Sequence, residues 1–125
     1  MSHMVKLKLI VKDLDLLEET CNELGYKFHR GKTKARYYGG STIDCDHVIE
    51  VPGTNHEIAV IDNRDGSYTL KGDFYGSEGK VLKEAYEKIE QLYTVKAVKR
   101  EAYMKGYSVF EEWVDENICK LKISV

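Results

Sequence analysis

Glu57-Ile58-Ala59-Val60-Ile61-Asp62 is followed by Asn63-Arg64-Asp65-Gly66, and then by Ser67-Tyr68-Thr69-Leu70-Lys71-Gly72-Asp73-Phe74. Two runs rich in β-branched and aromatic residues thus flank four polar ones that end in glycine. That is the pattern of a β-hairpin, with Gly66 free to take positive φ in the turn. Immediately upstream, Ile43 to Val51 reads as another strand, stopped by Pro52-Gly53. A short strand, Tyr26 to His29, precedes it. Strands therefore follow one another without intervening helices, which calls for an antiparallel or mixed sheet rather than a doubly wound parallel one.

The flanks supply the helices. Asp13 is placed to cap a helix in which Leu14, Leu17, Cys21 and Leu24 recur at spacings of three and four, with Gly25 at its end. Before it, Val5 to Val11 alternates apolar residues with Lys6, Lys8 and Lys12, as a half-buried strand does. Downstream, Val81, Leu82, Ala85, Ile89, Leu92 and Val95 line one face of a helix from about Glu78 to Lys105. Tyr93-Thr94-Val95 is a poor helix-forming patch, so a bend or two consecutive helices is expected there. Gly106 ends the segment. A last hairpin pairs Tyr107 to Val114 with Ile118 to Val125 across Asp115-Glu116-Asn117, its alternation of Leu121, Ile123 and Val125 burying one face. The order is β-α-β-β-β-β-α-β-β. The expected fold is one α+β domain, residues 1–125, with a mostly antiparallel sheet and helices packed on one face.

A chain of 125 residues with 42% hydrophobic and 32% charged side chains has an ordinary globular composition. Nineteen basic residues against 21 acidic ones leave a net charge of −2. A wholly basic nucleic-acid binder is excluded, and any anion affinity must be local. No apolar run spans a bilayer and no signal peptide is expected. Ser2-His3-Met4 reads either as a native start or as a tag remnant. Cys21, Cys45 and Cys119 are odd in number and widely spaced, as reduced thiols of a cytoplasmic protein are.

One local patch stands out. His29-Arg30-Gly31-Lys32-Thr33-Lys34-Ala35-Arg36-Tyr37-Tyr38-Gly39-Gly40 is polar, basic and glycine-bearing, and residues 30–41 read as a loop. Arg30, Lys32, Lys34 and Arg36 fall at every second position, so an extended chain sets them on one face. Cations and exposed backbone N–H groups bind phosphate, glycines 39 and 40 let a ligand approach the backbone, and Tyr37 or Tyr38 can stack on a base. Those eight residues, Arg30, Lys32, Lys34, Arg36, Tyr37, Tyr38, Gly39 and Gly40, are the candidate ligand site, with a nucleotide or RNA as the ligand. The plainer alternative is a solvated loop whose charges pair with acids elsewhere. Gly31-Lys32-Thr33 lacks the upstream glycine of a phosphate-binding loop of the nucleotide hydrolases.

Asp44-Cys45-Asp46-His47, with His56 and Glu57, is the second cluster. On a strand Cys45 and His47 face one side and the two aspartates the other. No Cys-x-x-Cys or His-x-x-x-His pair accompanies them, so neither metal nor cofactor is expected. A Cys45–His47 nucleophile pair lacks any oxyanion element, and no catalytic motif occurs, so enzymatic activity is not expected. The nine tyrosines and Trp113, among them Tyr75, Tyr86, Tyr93, Tyr103 and Tyr107, read as core-edge packing or as a surface for a protein partner or a second copy. Lys120 and Lys122 would guard an edge strand.

Several weak motifs in order carry a family resemblance. They are the Met1-Ser2-His3 start, the Asp13 to Gly25 helix, Arg36-Tyr37-Tyr38-Gly39-Gly40 and Asp46-His47-Val48-Ile49. Asp65-Gly66-Ser67-Tyr68-Thr69-Leu70, Gln91-Leu92-Tyr93 and Gly106-Tyr107 complete the series. The chain resembles the bacterial and chloroplast family of unknown function called hypothetical chloroplast reading frame thirty-five, departing from its pattern at Leu92 and Thr94. The resemblance implies a cytoplasmic α+β protein, a native N-terminus and, by gene neighbourhood, an adaptor role beside an AAA+ ATPase. Two functions follow. One is a non-catalytic binding protein for an anionic ligand; the other is a protein-interaction adaptor or self-associating subunit.

Overall fold

The computed structural model describes residues 9–115 and 118–125. Helix α1 spans Leu14–Glu23. The Asp13 carboxylate accepts from the Leu16 N–H at 3.0 Å, and Gly25 follows the helix with φ +83°. Strands β1 (Lys27–Arg30), β2 (Lys34–Arg36), β3 (Thr42–Asp44), β4 (His47–Glu50), β5 (Glu57–Asp62) and β6 (Tyr68–Lys71) come next. Helix α2 (Gly76–Met104) leads into β7 (Ser108–Asp115) and β8 (Ile118–Ser124). The principal sheet has the order β1-β4-β5-β6, and β2-β3 and β7-β8 form two-stranded sheets. Every pairing is antiparallel, so the fold is α+β as the succession of strands indicates.

Both faces of the principal sheet are covered. On one, Ile49, Ile58, Val60 and Leu70 pack with Leu16, Leu17 and Cys21 of α1 and with Leu82, Ala85, Ile89 and Tyr93 of α2. Each such aliphatic side chain stabilises by about 1.5–3 kcal/mol relative to exposure, so this cluster holds the helices in place. On the other face, Val48 and Ala59 meet Ala35 of β2 and Cys45. These side chains are small, and the β2-β3 hairpin therefore lies close over the sheet as a flap. Burial from two sides explains why Glu57 to Val60 are buried without alternation.

Four expectations change. The segment 30–41 is not loop throughout: it contains β2 and a single 3-10 turn, Tyr38–Gly40. The strand expected from Ile43 to Val51 breaks at Cys45-Asp46. There the Cys45 N–H donates to the Thr33 carbonyl (2.9 Å) and the Asp46 N–H to that of Val60 (2.9 Å), as the chain crosses from flap to sheet. Helix α2 runs through Tyr93-Thr94-Val95 without a break. Thr94 turns its hydroxyl onto the Glu90 carbonyl, and the buried Tyr93 hydroxyl accepts from the N–H groups of Lys12 and Asp13 at 3.1 and 3.2 Å. Packing thus outweighs the weak local propensity. In β8, Leu121 is half-buried but Ile123 is exposed, as is Val125 beyond the strand, because α2 covers only part of that hairpin.

Of the expected first strand, Val5 to Leu7 and Lys8 lie outside the described residues, as do Ser2, His3 and Met4; Val11 bridges Tyr68 and is buried. Glu116 and Asn117 of the last turn also lie outside them. The turn of the central hairpin is as expected at Gly66 (φ +90°), and Arg64 is left-handed as well (φ +65°).

The start of α2 is set by a close approach. A Cβ on Gly79 would stand 2.1 Å from the carbonyl carbon of Phe74. Gly79→Ala therefore forces helix and chain apart, and its unfolding midpoint in urea should fall by the equivalent of about 1–3 kcal/mol.

Candidate functional site

The basic segment is organised around carboxylates. Arg30 closes β1 and turns back to α1, its Nε donating to Glu18 (2.7 Å) and its Nη2 to Asp15 (2.5 Å). Those two bonds, Glu18 first, raise the guanidinium pKa further. Gly31, with φ +78°, turns the chain, and its N–H donates to His47 Nδ1 at 3.0 Å. Lys34 Nζ lies 2.7 Å from Asp44, its cross-strand partner in the flap, and that bond raises the lysine and lowers the acid.

Lys32 and Arg36 share one acid. Glu57 begins β5 and has no exposed surface, the one buried carboxylate among the described residues. Its Oε1 accepts from the Arg36 backbone N–H at 2.9 Å, and its Oε2 stands 3.4 Å from both Lys32 Nζ and Arg36 Nη2. Arg36 Nε donates to the Asn55 carbonyl at 3.0 Å. The four cations thus face four acids in three places, and the pairing that the sequence leaves as an alternative is present for each.

The other half of the segment opens onto a cleft. After β2 the chain reverses, the Tyr37 N–H donating to the Ser41 carbonyl at 2.7 Å. Gly39 and Gly40 are both left-handed, with φ +71° and +79°. A Cβ on either would meet nothing within 4 Å, so this strip of backbone is open. It forms one wall of a cleft of about 430 Å³ with Arg36, Tyr37 and Tyr38; Asn55, His56 and Glu78 form the other. Tyr38 is 64% exposed and stands edge-on to His56 (6.2 to 6.4 Å separates its ring from each aromatic neighbour) and to Tyr75, itself 74% exposed.

Hydrogen bonds hold the far wall. Buried His56 places Nδ1 3.1 Å from the Asp73 carbonyl. A carbonyl only accepts, so Nδ1 carries the proton and Nε2 of the neutral ring is an acceptor. Glu78, in the first turn of α2, accepts from the Asn55 N–H at 2.6 Å, and its backbone carbonyl accepts from the Thr54 hydroxyl at 3.0 Å. The pattern of residues 29–40 points to only one wall. Asn55 and Glu78 carry no local signal, and Tyr75 stands out only as one aromatic among many.

Cys45, His47 and His56 do not come together. Cys45 Sγ is 3.5 Å from the Lys32 carbonyl, and His47 is occupied by Gly31, so both fasten the flap. No group of three potential ligands is positioned to hold a metal among the described residues. Burial raises the Cys45 thiol, assisted by Asp46, and lowers His47, a combination that disfavours a thiolate–imidazolium pair. Burial also pushes Cys21 up to about 12.

Two predictions follow from this geometry. Glu57→Ala removes the acceptor of the Arg36 N–H and leaves two cations without their partner. It should lower stability in urea by about 3 kcal/mol, with Glu57→Gln losing less, whereas Lys34→Ser at an exposed pair should leave the midpoint unchanged. With a disulfide reagent at pH 8, Cys119 should react in the native protein while Cys21 and Cys45 stay protected. Rapid modification of Cys45 would show that the flap is not closed over it.

No curated protein and no solved structure matches the chain. A family model does, that of the proteins of unknown function termed DUF1257, over residues 20–118. That span runs from the last turn of α1 to the first residue of β8, so it takes in the principal sheet, the flap, α2 and every residue of the cleft. The chain belongs to the DUF1257 family, proteins of unknown function.

Proposed function

We propose that this is a small non-catalytic binding protein that holds a nucleotide, free or as part of RNA, in the cleft beside Tyr38. The observation that carries the reading is convergence: the tyrosine-glycine half of the basic segment and His56 meet at one open cleft, where Tyr38 is flanked by the rings of His56 and Tyr75. Its volume is within the range of ligand pockets, about 300–1,000 Å³. Exposed tyrosine rings suit base stacking, and two glycines without side chains let a flat ligand lie against the backbone. Charge contributes less than the sequence suggests, since Arg30 and Lys34 do not line the cleft and Lys32 and Arg36 are held by Glu57. Three free thiols support a cytoplasmic setting. No helix among the described residues is long and apolar enough to cross a membrane.

One observation favours a second reading, a protein-interaction adaptor or self-associating subunit with an AAA+ ATPase as a candidate partner. The β7-β8 hairpin exposes Phe110, Trp113, Val114 and Ile123. A two-stranded sheet is marginal unless something packs on it.

Calorimetric titration with 5′-mononucleotides and a short single-stranded RNA tests the first reading. Tyr38→Ala should weaken binding about tenfold or more, the worth of one stacked base, and Lys34→Ser should leave it nearly unchanged. Converting all four cations to serine is a poor test, because it strips the buried Glu57 of both its charged partners. Failure of every nucleotide to bind the wild-type protein would overturn the reading. Binding of a protein partner that survives Tyr38→Ala would favour the second.

A further inference from the structure

The polar groups on the walls of the cleft discriminate among bases, an inference that rests on the nucleotide reading above. On these walls Arg36 bonds Glu57 and the Asn55 carbonyl, and the Asn55 N–H bonds Glu78. Two acceptors on the far wall are oriented by their own bonds. One is the Glu78 carboxylate, which has about four lone-pair positions, of which the Asn55 N–H takes one. The other is Nε2 of His56, whose Nδ1–H is committed to the Asp73 carbonyl. A base that offers donors to these two groups is matched by the far wall.

The four RNA bases differ sharply in this respect. Adenine and cytosine set their amino group beside a ring nitrogen that is itself an acceptor and would face a carboxylate oxygen. Uracil has one ring N–H between two carbonyls. Guanine alone has a ring N–H next to an amino group, two parallel donors that match the two oxygens of a carboxylate as an arginine fork does. We infer that the cleft takes a guanine nucleotide, with Glu78 reading the N–H edge of the base and Tyr38 stacking against it.

Calorimetry with GMP, AMP and IMP, on the wild-type protein and on Glu78→Gln, tests this. GMP should bind about tenfold or more tighter than AMP, the worth of one good bidentate contact. IMP keeps the ring N–H but lacks the amino group, and should fall between the two. Glu78→Gln, its folding checked by a thermal melt, presents an amide N–H₂ to the base and should lose the preference for GMP. AMP binding as tightly as GMP would overturn the guanine assignment and leave the nucleotide reading standing. An undiminished preference in Glu78→Gln would overturn the role of Glu78. Absence of binding by all three would overturn the assignment together with the reading beneath it. The IMP comparison needs no variant and keeps the test decisive if Glu78→Gln does not fold.

Discussion

A carboxylate with no exposed surface opens strand β5, and the basic segment is folded around it. Glu57 lies in the row of β5 side chains that faces the flap, beside Ala59. A buried charge is tolerated only when partners replace the water it gives up. Here the replacements are the Arg36 N–H, the Arg36 guanidinium and the Lys32 ammonium. Two come from Arg36 in the flap and the third from Lys32 in the turn that leads into it, so satisfying Glu57 and docking β2 are the same event. Docking in turn sets the Tyr38–Gly40 turn beside His56, the residue that precedes Glu57 in the chain. Cleft and flap thus depend on one acid.

How much of the fold is legible follows from how local each signal is. Asp13 caps with its own side chain, Gly25 and Gly66 relieve their own backbone, and the hairpin around residues 63–66 is decided within about a dozen positions. Such signals survive into the structure because nothing distant opposes them. The flap is not local. Whether Lys34–Arg36 becomes a strand depends on Thr42–Asp44 pairing with it and on Glu57 receiving it, and no periodicity in residues 30–41 reports either. Tyr93 is the same lesson in a helix: its hydroxyl secures the chain before α1, about eighty residues earlier, and that contact outweighs a propensity difference of a few tenths of a kcal/mol. In β8 the alternation is real, but periodicity cannot say whether a partner surface is long enough to cover it.

The candidate site divides along the same line. Its near wall, Arg36 to Gly40, is contiguous and rich in residues with evident uses. Its far wall is assembled from the approach to β5 and the first turn of α2, and the close packing of Gly79 on Phe74 fixes where that turn sits. Counting charge along the chain finds the four cations but not their partners. The overall balance, 19 basic against 21 acidic side chains, already indicates that carboxylates are available to engage them.

The clamp also determines what the cleft can recognise. Because Glu57 and the Asn55 carbonyl engage the guanidinium of Arg36, the strongest donor in the cleft serves the fold before it serves a ligand. The Asn55 N–H is likewise turned to Glu78, and the Nδ1–H of His56 to Asp73. Each of these bonds consolidates the junction of flap, sheet and α2. Arg36 on one wall and Glu78 on the other are thus joined through the carbonyl and the N–H of Asn55.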